Sequence, residues 1–193
     1  MKLLPIRLTI IAVCLTLSTS IGCAQSTHKP IADAATPELK RADKVVKTDA
    51  QWRAQLTATE YIVTRQKGTE PAFSGSLLEI KKPGTFTCKC CDLPLFKTSA
   101  KFKSGTGWPS FYKPIDKDAV LDIHDSSHGM SRTENICSRC GAHLGHVFKD
   151  GPAPTGLRYC MNSVSLKFVA EGEEGAKKAD SVQATDEAAE PQK

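Results

Sequence analysis

The chain has 193 residues, of which 40% are hydrophobic, and its 26 basic and 21 acidic side chains give a formal net charge of +5. This length suits one ordinary domain with tails, and the composition allows a modest hydrophobic core. A nucleic-acid-binding surface would need a basic stripe interleaved with stacking aromatic residues. The sequence has no such stripe, so we expect a slightly basic, solvated surface and no nucleic-acid partner.

The chain begins with the pattern of a bacterial lipoprotein signal. Lys2 and Arg7 give a positive start, and residues 8–17 are apolar but too few to span a membrane. The run Ser-Ile-Gly-Cys that ends at Cys23 is similar to a lipobox, although Ser20 replaces the usual leucine. We therefore expect an exported lipoprotein, periplasmic or on the cell surface, anchored to the membrane through Cys23. A soluble exported form is the alternative.

Composition divides the chain into a signal segment, a linker, one domain and a tail. After the signal at 1–23, residues 24–47 are rich in Ala, Lys, Pro and Thr and are predicted to form a linker. Residues 171–193 carry seven acids and three bases with few apolar side chains, a composition that is typical of disorder. The folded domain is therefore placed at residues 48–170.

The domain is predicted to start with a helix and a strand. Thr48 and Gln51 have the spacing of a capping box, and Trp52 and Leu56 lie on one face of the helix that would follow. The β-branched run at residues 61–64 predicts a strand.

Short β-rich runs separated by turns follow, and they are typical of antiparallel sheets. Residues 85–88 are predicted to form a strand that ends at the first cysteine pair, whereas residues 122–129 are predicted to be a polar loop. Between them, residues 104–111 hold two glycines and a proline around a tryptophan, so we expect a rigid loop that presents an aromatic ring.

The last predicted strand is the most informative. Apolar and polar residues alternate from 163 to 168, so the even positions are predicted to face the core. Continued backwards without a bulge, this parity places Arg158, Cys160 and Asn162 on the same inner face. The cysteine would then lie in a partly enclosed pocket beside a cation.

Two Cys-x-x-Cys pairs predict a structural zinc site. They are Cys88 with Cys91 and Cys137 with Cys140, and this spacing lets both sulfurs of a pair face one ion. Four thiolates complete a tetrahedral shell with no open position, as in structural zinc sites. Cys90 adjoins the first pair, but the spacing favours Cys88 with Cys91.

The residues leave two other cysteine arrangements open. Six cysteines beyond the leader of an exported chain could form three disulfides. A site made of Cys137, Cys140, His143 and His146 is also conceivable, although its Cys-to-His gap is shorter than in zinc fingers.

Cys160 has no partner in these pairs. Most unpaired cysteines are small buried hydrophobic residues. However, Arg158 two residues earlier would lower the pKa of the thiol, and His143 and His146 could supply protons near neutral pH. The residues therefore allow either an inert core cysteine or a nucleophile.

Five ordered motifs resemble those of the methionine-R-sulfoxide reductases, the B class. The resemblance extends over about residues 48–168. The motifs are Gly68-Thr69-Glu70-Pro71, Ser104-Gly105-x-Gly107-Trp108-Pro109-Ser110-Phe111, His143-Leu144-Gly145-His146-Val147-Phe148, Asp150-Gly151-Pro152 and Arg158-Tyr159-Cys160-x-Asn162-Ser163.

The resemblance implies a mainly β fold of two antiparallel sheets (β-tent-like) with short N-terminal helices and zinc held away from the active site. It implies that Cys160 attacks the sulfoxide sulfur of oxidised proteins or peptides and becomes a sulfenic acid. His146, with His143, is the expected proton donor to the departing oxygen. Trp108 and Phe148 are expected to contact the substrate, and Arg158 and Asn162 to orient and polarise the thiolate.

Thr106 departs from the family pattern, because many members have their resolving cysteine at this position. Cys90 is the remaining unassigned thiol of the domain, and we expect it at the metal end of the fold. A thioredoxin-like protein or a small thiol is therefore the expected reductant. A non-catalytic zinc-binding interaction module is the alternative function.

Overall fold

The computed structural model describes residues 39–172. The predicted signal segment with Cys23, most of the predicted linker and nearly all of the predicted tail lie outside these residues. Within the described part, none of the helices has the length and apolar character needed to cross a membrane.

Residues 39–172 form two short helices followed by nine strands in two antiparallel sheets. One sheet has the strand order β2-β1-β9 and the other β3-β4-β8-β7-β6-β5. The helices are α1 (Asp49–Gln55) and α2 (Ala58–Arg65), and the strands are β1 (Gly84–Cys88), β2 (Pro94–Lys97), β3 (Lys101–Phe102), β4 (Ser110–Phe111), β5 (Val120–Asp125), β6 (Arg132–Cys137), β7 (His143–Phe148), β8 (Arg158–Met161) and β9 (Leu166–Ala170). The expected mainly β architecture with N-terminal helices is confirmed.

The two helices begin at similar caps. The predicted capping box at Thr48 is confirmed, but the strand predicted for residues 61–64 is wrong, because these residues lie in α2. Thr57 accepts a hydrogen bond from the Glu60 backbone, and the Glu60 carboxylate accepts one from the Thr57 backbone. Thr64 donates its hydroxyl to the Glu60 carbonyl at 2.7 Å. This local capping and the burial of the helix face outweigh the β preference of the run.

Residues 122–125, predicted to be part of a loop, belong to the edge strand β5. This strand pairs with β6 along its whole length. Its exposed residues Asp122 and His124 alternate with the half-buried Leu121 and Ile123. An edge strand with one face in water needs only every second residue to be apolar. The polar composition of residues 122–125 therefore predicted a loop although they form a strand.

The predicted last strand is two strands in different sheets. A 3₁₀ turn at Ser163–Ser165 separates β8 from β9 and breaks the expected parity. In β8 the apolar core residues are Tyr159 and Met161, so the inner-face placement of Cys160 is wrong. Cys160 lies on the opposite face of the six-stranded sheet, where a solute can reach it.

Aromatic side chains join the two sheets. Phe96 stacks on Phe111 with ring centroids 4.4 Å apart, and Phe86 meets Phe111 edge-on at 5.0 Å. Each of these fully buried rings contributes about 1.5–3 kcal/mol through burial. Because Phe111 lies in β4 beside β8, this core gives Cys160 a rigid base.

Candidate active site and metal centre

Cys160 lies in the middle of the six-stranded sheet. On one side of β8 it pairs with Ser110 of β4, and on the other side it pairs with His146 of β7. Gly145 allows the close approach of β7, because a Cβ atom there would lie 2.0 Å from the Cys160 carbonyl oxygen. The sheet register therefore places a histidine directly beside the cysteine.

A loop with two left-handed glycines covers the cysteine sulfur. Gly105 and Gly107 have φ angles of 78° and 94°, which favour glycine. Between them, the Thr106 hydroxyl lies 3.8 Å from the Cys160 Sγ and 2.9 Å from the Ser104 hydroxyl. The residue at position 106 is therefore in direct contact with the reactive sulfur.

Burial controls the protonation of Cys160. It raises the pKa of the thiol above its usual value, and the opposing contributions from Thr106, Arg158 and Ser110 only partly offset it. The lowering of the pKa by Arg158 that the sequence suggested is present, but burial outweighs it. The resting thiol therefore keeps its proton at neutral pH.

A carboxylate and an arginine lie behind His146. The His146 Nε2 is 2.8 Å from an Asp125 carboxylate oxygen, and Arg132 contacts the same oxygen at 2.8 Å. Burial lowers the pKa of His146, while the hydrogen bond to Asp125 opposes this shift. The His146 ring is therefore mainly neutral near pH 7. When it gains a proton, the Asp125 carboxylate stabilises the imidazolium.

His143 has a similar but more deeply buried arrangement. Its Nδ1 lies 2.7 Å from Glu134, whose other oxygen pairs with Lys67 at 2.8 Å. The His143 Nε2 has no hydrogen-bond partner among the described residues although it is buried. The rings of His143 and His146 meet edge-on at 5.5 Å. The unpaired nitrogen can therefore hydrogen-bond a buried water molecule beside His146.

Arg158 is held by two contacts. Two of its nitrogens bind Asp150 at 2.9 Å each, and its guanidinium carbon lies 4.3 Å from the centre of the Phe148 ring. These contacts keep the guanidinium within electrostatic range of Cys160. The hydrogen bond to Asp150 is the main cause of the raised pKa of Arg158, and the negative charge of the Cys160 thiolate raises this pKa further. Arg158 and Phe148 therefore form one wall near the sulfur.

Glu70 ties the cysteine strand to the loop that carries Trp108. Its buried carboxylate accepts hydrogen bonds from the backbone of Ser163 at 2.7 Å and Val164 at 2.9 Å. Its backbone binds the Asn162 side chain at 3.0 Å and the Trp108 indole at 3.1 Å. The remaining amide contact of Asn162 goes to the Leu144 carbonyl at 3.2 Å. In this arrangement the Asn162 amide holds the backbone behind Cys160.

Several residues of this site have a role that neither the sequence pattern nor the family resemblance predicts. They are Glu70, Asp125, Glu134 and Asp150. Glu134 could have been noticed as an acidic residue in an otherwise well-formed strand, and a buried carboxylate needs a partner. Asp125 gives no such signal, because the polar composition of its segment predicts a loop.

Four cysteine sulfurs cluster at the end of β6, where they can hold a metal ion. The Sγ atoms of Cys88, Cys91, Cys137 and Cys140 all lie within 4.8 Å of one another. The Cys88 and Cys140 sulfurs are 3.6 Å apart, and the Cys91 and Cys137 sulfurs are 3.5 Å apart. A tetrahedral ion with sulfur ligands at about 2.3 Å requires S···S distances of about 3.8 Å, so the four residues fit a metal.

The alternative cysteine arrangements do not match the structure. The sulfur distances are far from the disulfide length of about 2.05 Å, and the six cysteines in the described part are free. His143 and His146 bind carboxylates instead of joining the cluster. Cys90 is buried, and its backbone carbonyl accepts a hydrogen bond from Gln55 of α1 at 2.8 Å.

The metal centre and Cys160 occupy different parts of the fold. Cys137 follows Ile136, which pairs with His143, whereas Cys160 pairs with His146. His143 and His146 are three residues apart on β7, which corresponds to roughly 10 Å along the strand. The metal centre, which begins beyond the Ile136–His143 pair, is therefore separated from Cys160.

Comparison with known proteins identifies the family. The SelR domain model matches residues 56–170. A peptide methionine sulfoxide reductase MsrB from Acinetobacter baylyi is 56% identical over 125 residues, which are 65% of this chain and 90% of that protein. The proteins of that name from Saccharophagus degradans and Leptospira interrogans are 53% and 57% identical over 69% and 66% of this chain, and 99% and 98% of their own lengths are covered. The chain therefore belongs to the SelR domain family, together with the peptide methionine sulfoxide reductases MsrB.

Proposed function

We propose that this protein reduces the R epimer of methionine sulfoxide in oxidised proteins and peptides, with Cys160 as the nucleophile. The observation that carries the proposal is the position of the Cys160 sulfur, opposite His146 and under the Thr106 loop. A partly exposed thiol next to a histidine–carboxylate pair has the nucleophile and the general base that covalent catalysis requires.

In the first half-reaction the Cys160 thiol takes the sulfoxide oxygen. His146 accepts the thiol proton as the sulfur attacks, and Asp125 at 2.8 Å stabilises the imidazolium. The sulfur–oxygen bond of the substrate breaks as the oxygen forms a bond to the Cys160 sulfur, and His146 returns the proton to this oxygen. One thiol and one sulfoxide thus give one cysteine sulfenic acid and one methionine thioether, so that atoms and electrons balance.

The other predicted site residues assist this step. The buried His143, whose ring is held by Glu134, packs edge-on against His146 and assists its transfer of the proton to the sulfoxide oxygen. Arg158 stabilises the developing thiolate, and Asn162 fixes the backbone behind it. Trp108 and Phe148 supply apolar surface to the methyl group, which favours one sulfur epimer.

The four-cysteine centre holds zinc in this proposal. Four thiolates with no open position favour zinc as a structural ion, so it supplies folding free energy and takes no part in the reaction. The distance along the strand between this centre and the His146–Cys160 pair supports that separation.

The main test is a racemic methionine sulfoxide peptide incubated with the protein and dithiothreitol. We expect the R epimer to be consumed and the S epimer to remain, as resolved by chiral chromatography. Consumption of neither epimer would contradict the proposal and favour the non-catalytic zinc module.

We expect Cys160 to be reset by an external thiol. The residue at position 106 is a threonine and so supplies no thiol, and the buried Cys90 thiol interacts with the cluster thiols of Cys88 and Cys140, which favours reduction by a thiol from outside the chain. Two external thiols then yield a disulfide, water and the free Cys160 thiol. One equivalent of R sulfoxide without reductant should leave a sulfenic acid at Cys160, trapped with dimedone and located by mass spectrometry.

A matched variant sharpens this recycling test. In Thr106→Cys the new thiol replaces a hydroxyl 3.8 Å from the Cys160 Sγ, so an internal disulfide should replace the trapped sulfenic acid. In contrast, a Cys90–Cys160 disulfide in the unmodified chain, lost in Cys90→Ser, would show that recycling is internal.

The proposed location is the periplasm or the cell surface, with the chain anchored to the membrane through a lipid on Cys23. The basis is the lipobox-like run in the sequence. Mass spectrometry of the mature N terminus should detect a diacylglycerol-modified Cys23, and Cys23→Ala should abolish membrane attachment. A mature chain that begins without lipid after the leader would contradict the anchor.

A further inference from the structure

A groove of about 270 Å³ lies beside the loop that covers Cys160. Its apolar lining includes Leu78, Ile80 and Phe102, and it is bordered by Gly107 and Trp108. Gly107 directly follows Thr106, which contacts the Cys160 sulfur at 3.8 Å. The groove therefore lies next to the candidate active site and shares the loop residues around Thr106 with it, although none of the residues proposed for proton transfer lines it.

Phe73 marks one rim of the groove as a recognition surface. Its side chain is 69% exposed, and its backbone has a φ of 64°, a left-handed conformation that is unfavourable for an aromatic residue. A hydrogen bond from its backbone N–H to the Gly107 carbonyl, at 2.8 Å, holds it there. An exposed ring in a strained conformation at the edge of a site indicates a surface that is kept for contact with a ligand.

The groove is also lined by three lysines. Lys81 and Lys103 are exposed, and within residues 39–172 neither is in an ion pair. The Lys101 ammonium donates to the Leu78 carbonyl at 2.5 Å, and burial lowers its pKa. Glu79 is the one carboxylate in the described lining. A half-buried cation flanked by two free cations would gain from an anionic ligand.

We propose that this groove binds the polypeptide that flanks the oxidised methionine and that it selects acidic flanking segments. The proposal rests on the proposed function, since the sulfoxide side chain must sit at Cys160 while its main chain crosses the Thr106 loop. An extended peptide advances about 3.3 Å per residue, so side chains a few positions from the sulfoxide reach the lysines. Phe73 and the apolar floor contact the peptide backbone and any apolar neighbour.

The experiment compares three peptides of equal length with a central R-methionine sulfoxide. The flanking residues are glutamates, glutamines or lysines, and kcat/KM is measured for each with dithiothreitol as reductant. Surface ion pairs of this kind change affinity by a few fold each, so we expect the acidic peptide to exceed the basic one by about 10-fold, mainly through KM. The advantage should shrink at 0.5 M salt because the lysines are exposed.

Charge reversal then tests which lysines are responsible. In Lys81→Glu with Lys103→Glu, the ratio of kcat/KM for acidic over basic peptide should fall by more than about 10-fold, so that the basic peptide becomes the better substrate. The control is Lys117→Glu, an exposed lysine outside the groove, which should keep the wild-type ratio. Equal kcat/KM for the three peptides, or an unchanged ratio in the double variant, would overturn the proposal.

N-acetyl-methionine-R-sulfoxide separates this proposal from the function on which it rests. It has no flanking residues to occupy the groove. Turnover of this compound by the wild-type protein without any preference among the peptides would reject the groove and keep the reductase function. An absence of turnover on every substrate would reject the function and, with it, the groove.

Discussion

Replacing Cys160 by serine should lower the turnover of R-methionine sulfoxide by about 10⁴-fold or more, the scale expected for removal of a catalytic nucleophile. A serine hydroxyl ionises far less readily than a thiol and cannot form a sulfenic acid. The substitution exchanges one atom in a setting already lined by the Thr106, Ser104 and Ser110 hydroxyls. The fold should therefore tolerate it, and the loss would report on chemistry.

The control for Cys160→Ser is the same exchange at Cys90. Cys90 is buried beside the metal cluster and takes no part in the proposed reaction. Activity should persist in Cys90→Ser, and both variants should keep the wild-type circular dichroism spectrum and zinc content. More than a tenth of wild-type turnover in a folded Cys160→Ser protein would rule out Cys160 as the nucleophile.

Replacing Cys137 by serine should remove the metal and unfold the domain. Structural zinc contributes on the order of 10 kcal/mol in small domains, which is comparable with the whole stability of a typical protein. Cys137 is fully buried at the end of β6 and opposite Cys91 at 3.5 Å, so no water can complete the shell in its place. Zinc content should fall from about one ion per chain to none, with loss of the cooperative thermal transition.

Ser138→Ala is the matched control for Cys137→Ser. Ser138 is the next residue, and its buried hydroxyl has no hydrogen-bond partner among the described residues. Its removal should leave zinc binding intact and have little effect on, or slightly raise, the free energy of unfolding. A folded, metal-free Cys137→Ser protein with a normal melting temperature would show that the centre is not structural.

Local patterns predicted part of the fold correctly. The capping box at Thr48 and the strand at 85–88 involve interactions between near neighbours, so their spacing in the sequence is sufficient. The run at 61–64 was misassigned because the cap at Thr57 and the burial of α2 outweigh β propensity. The edge strand β5 was missed because one of its faces lies in water.

Residue types and short spacings predicted the metal centre but left the role of Cys160 open. Two Cys-x-x-Cys pairs favour a four-sulfur site, because their spacing lets each pair face one ion. The Arg158–Cys160 spacing allowed either an inert cysteine or a nucleophile, and only the resemblance of five ordered motifs to the B-class reductases favoured the nucleophile.

The arrangement of these groups depends on long-range packing, which local patterns do not specify. Parity along a single strand predicted that Cys160 lies on the inner face. However, the 3₁₀ turn at Ser163–Ser165 places β9 in another sheet, and Cys160 lies on the accessible face of the six-stranded sheet. Burial, which depends on the whole packing, raises the pKa of the thiol despite its arginine. Asp125 and Glu134 reach the histidines from β5 and β6 through strand register, a long-range property that no local pattern specifies.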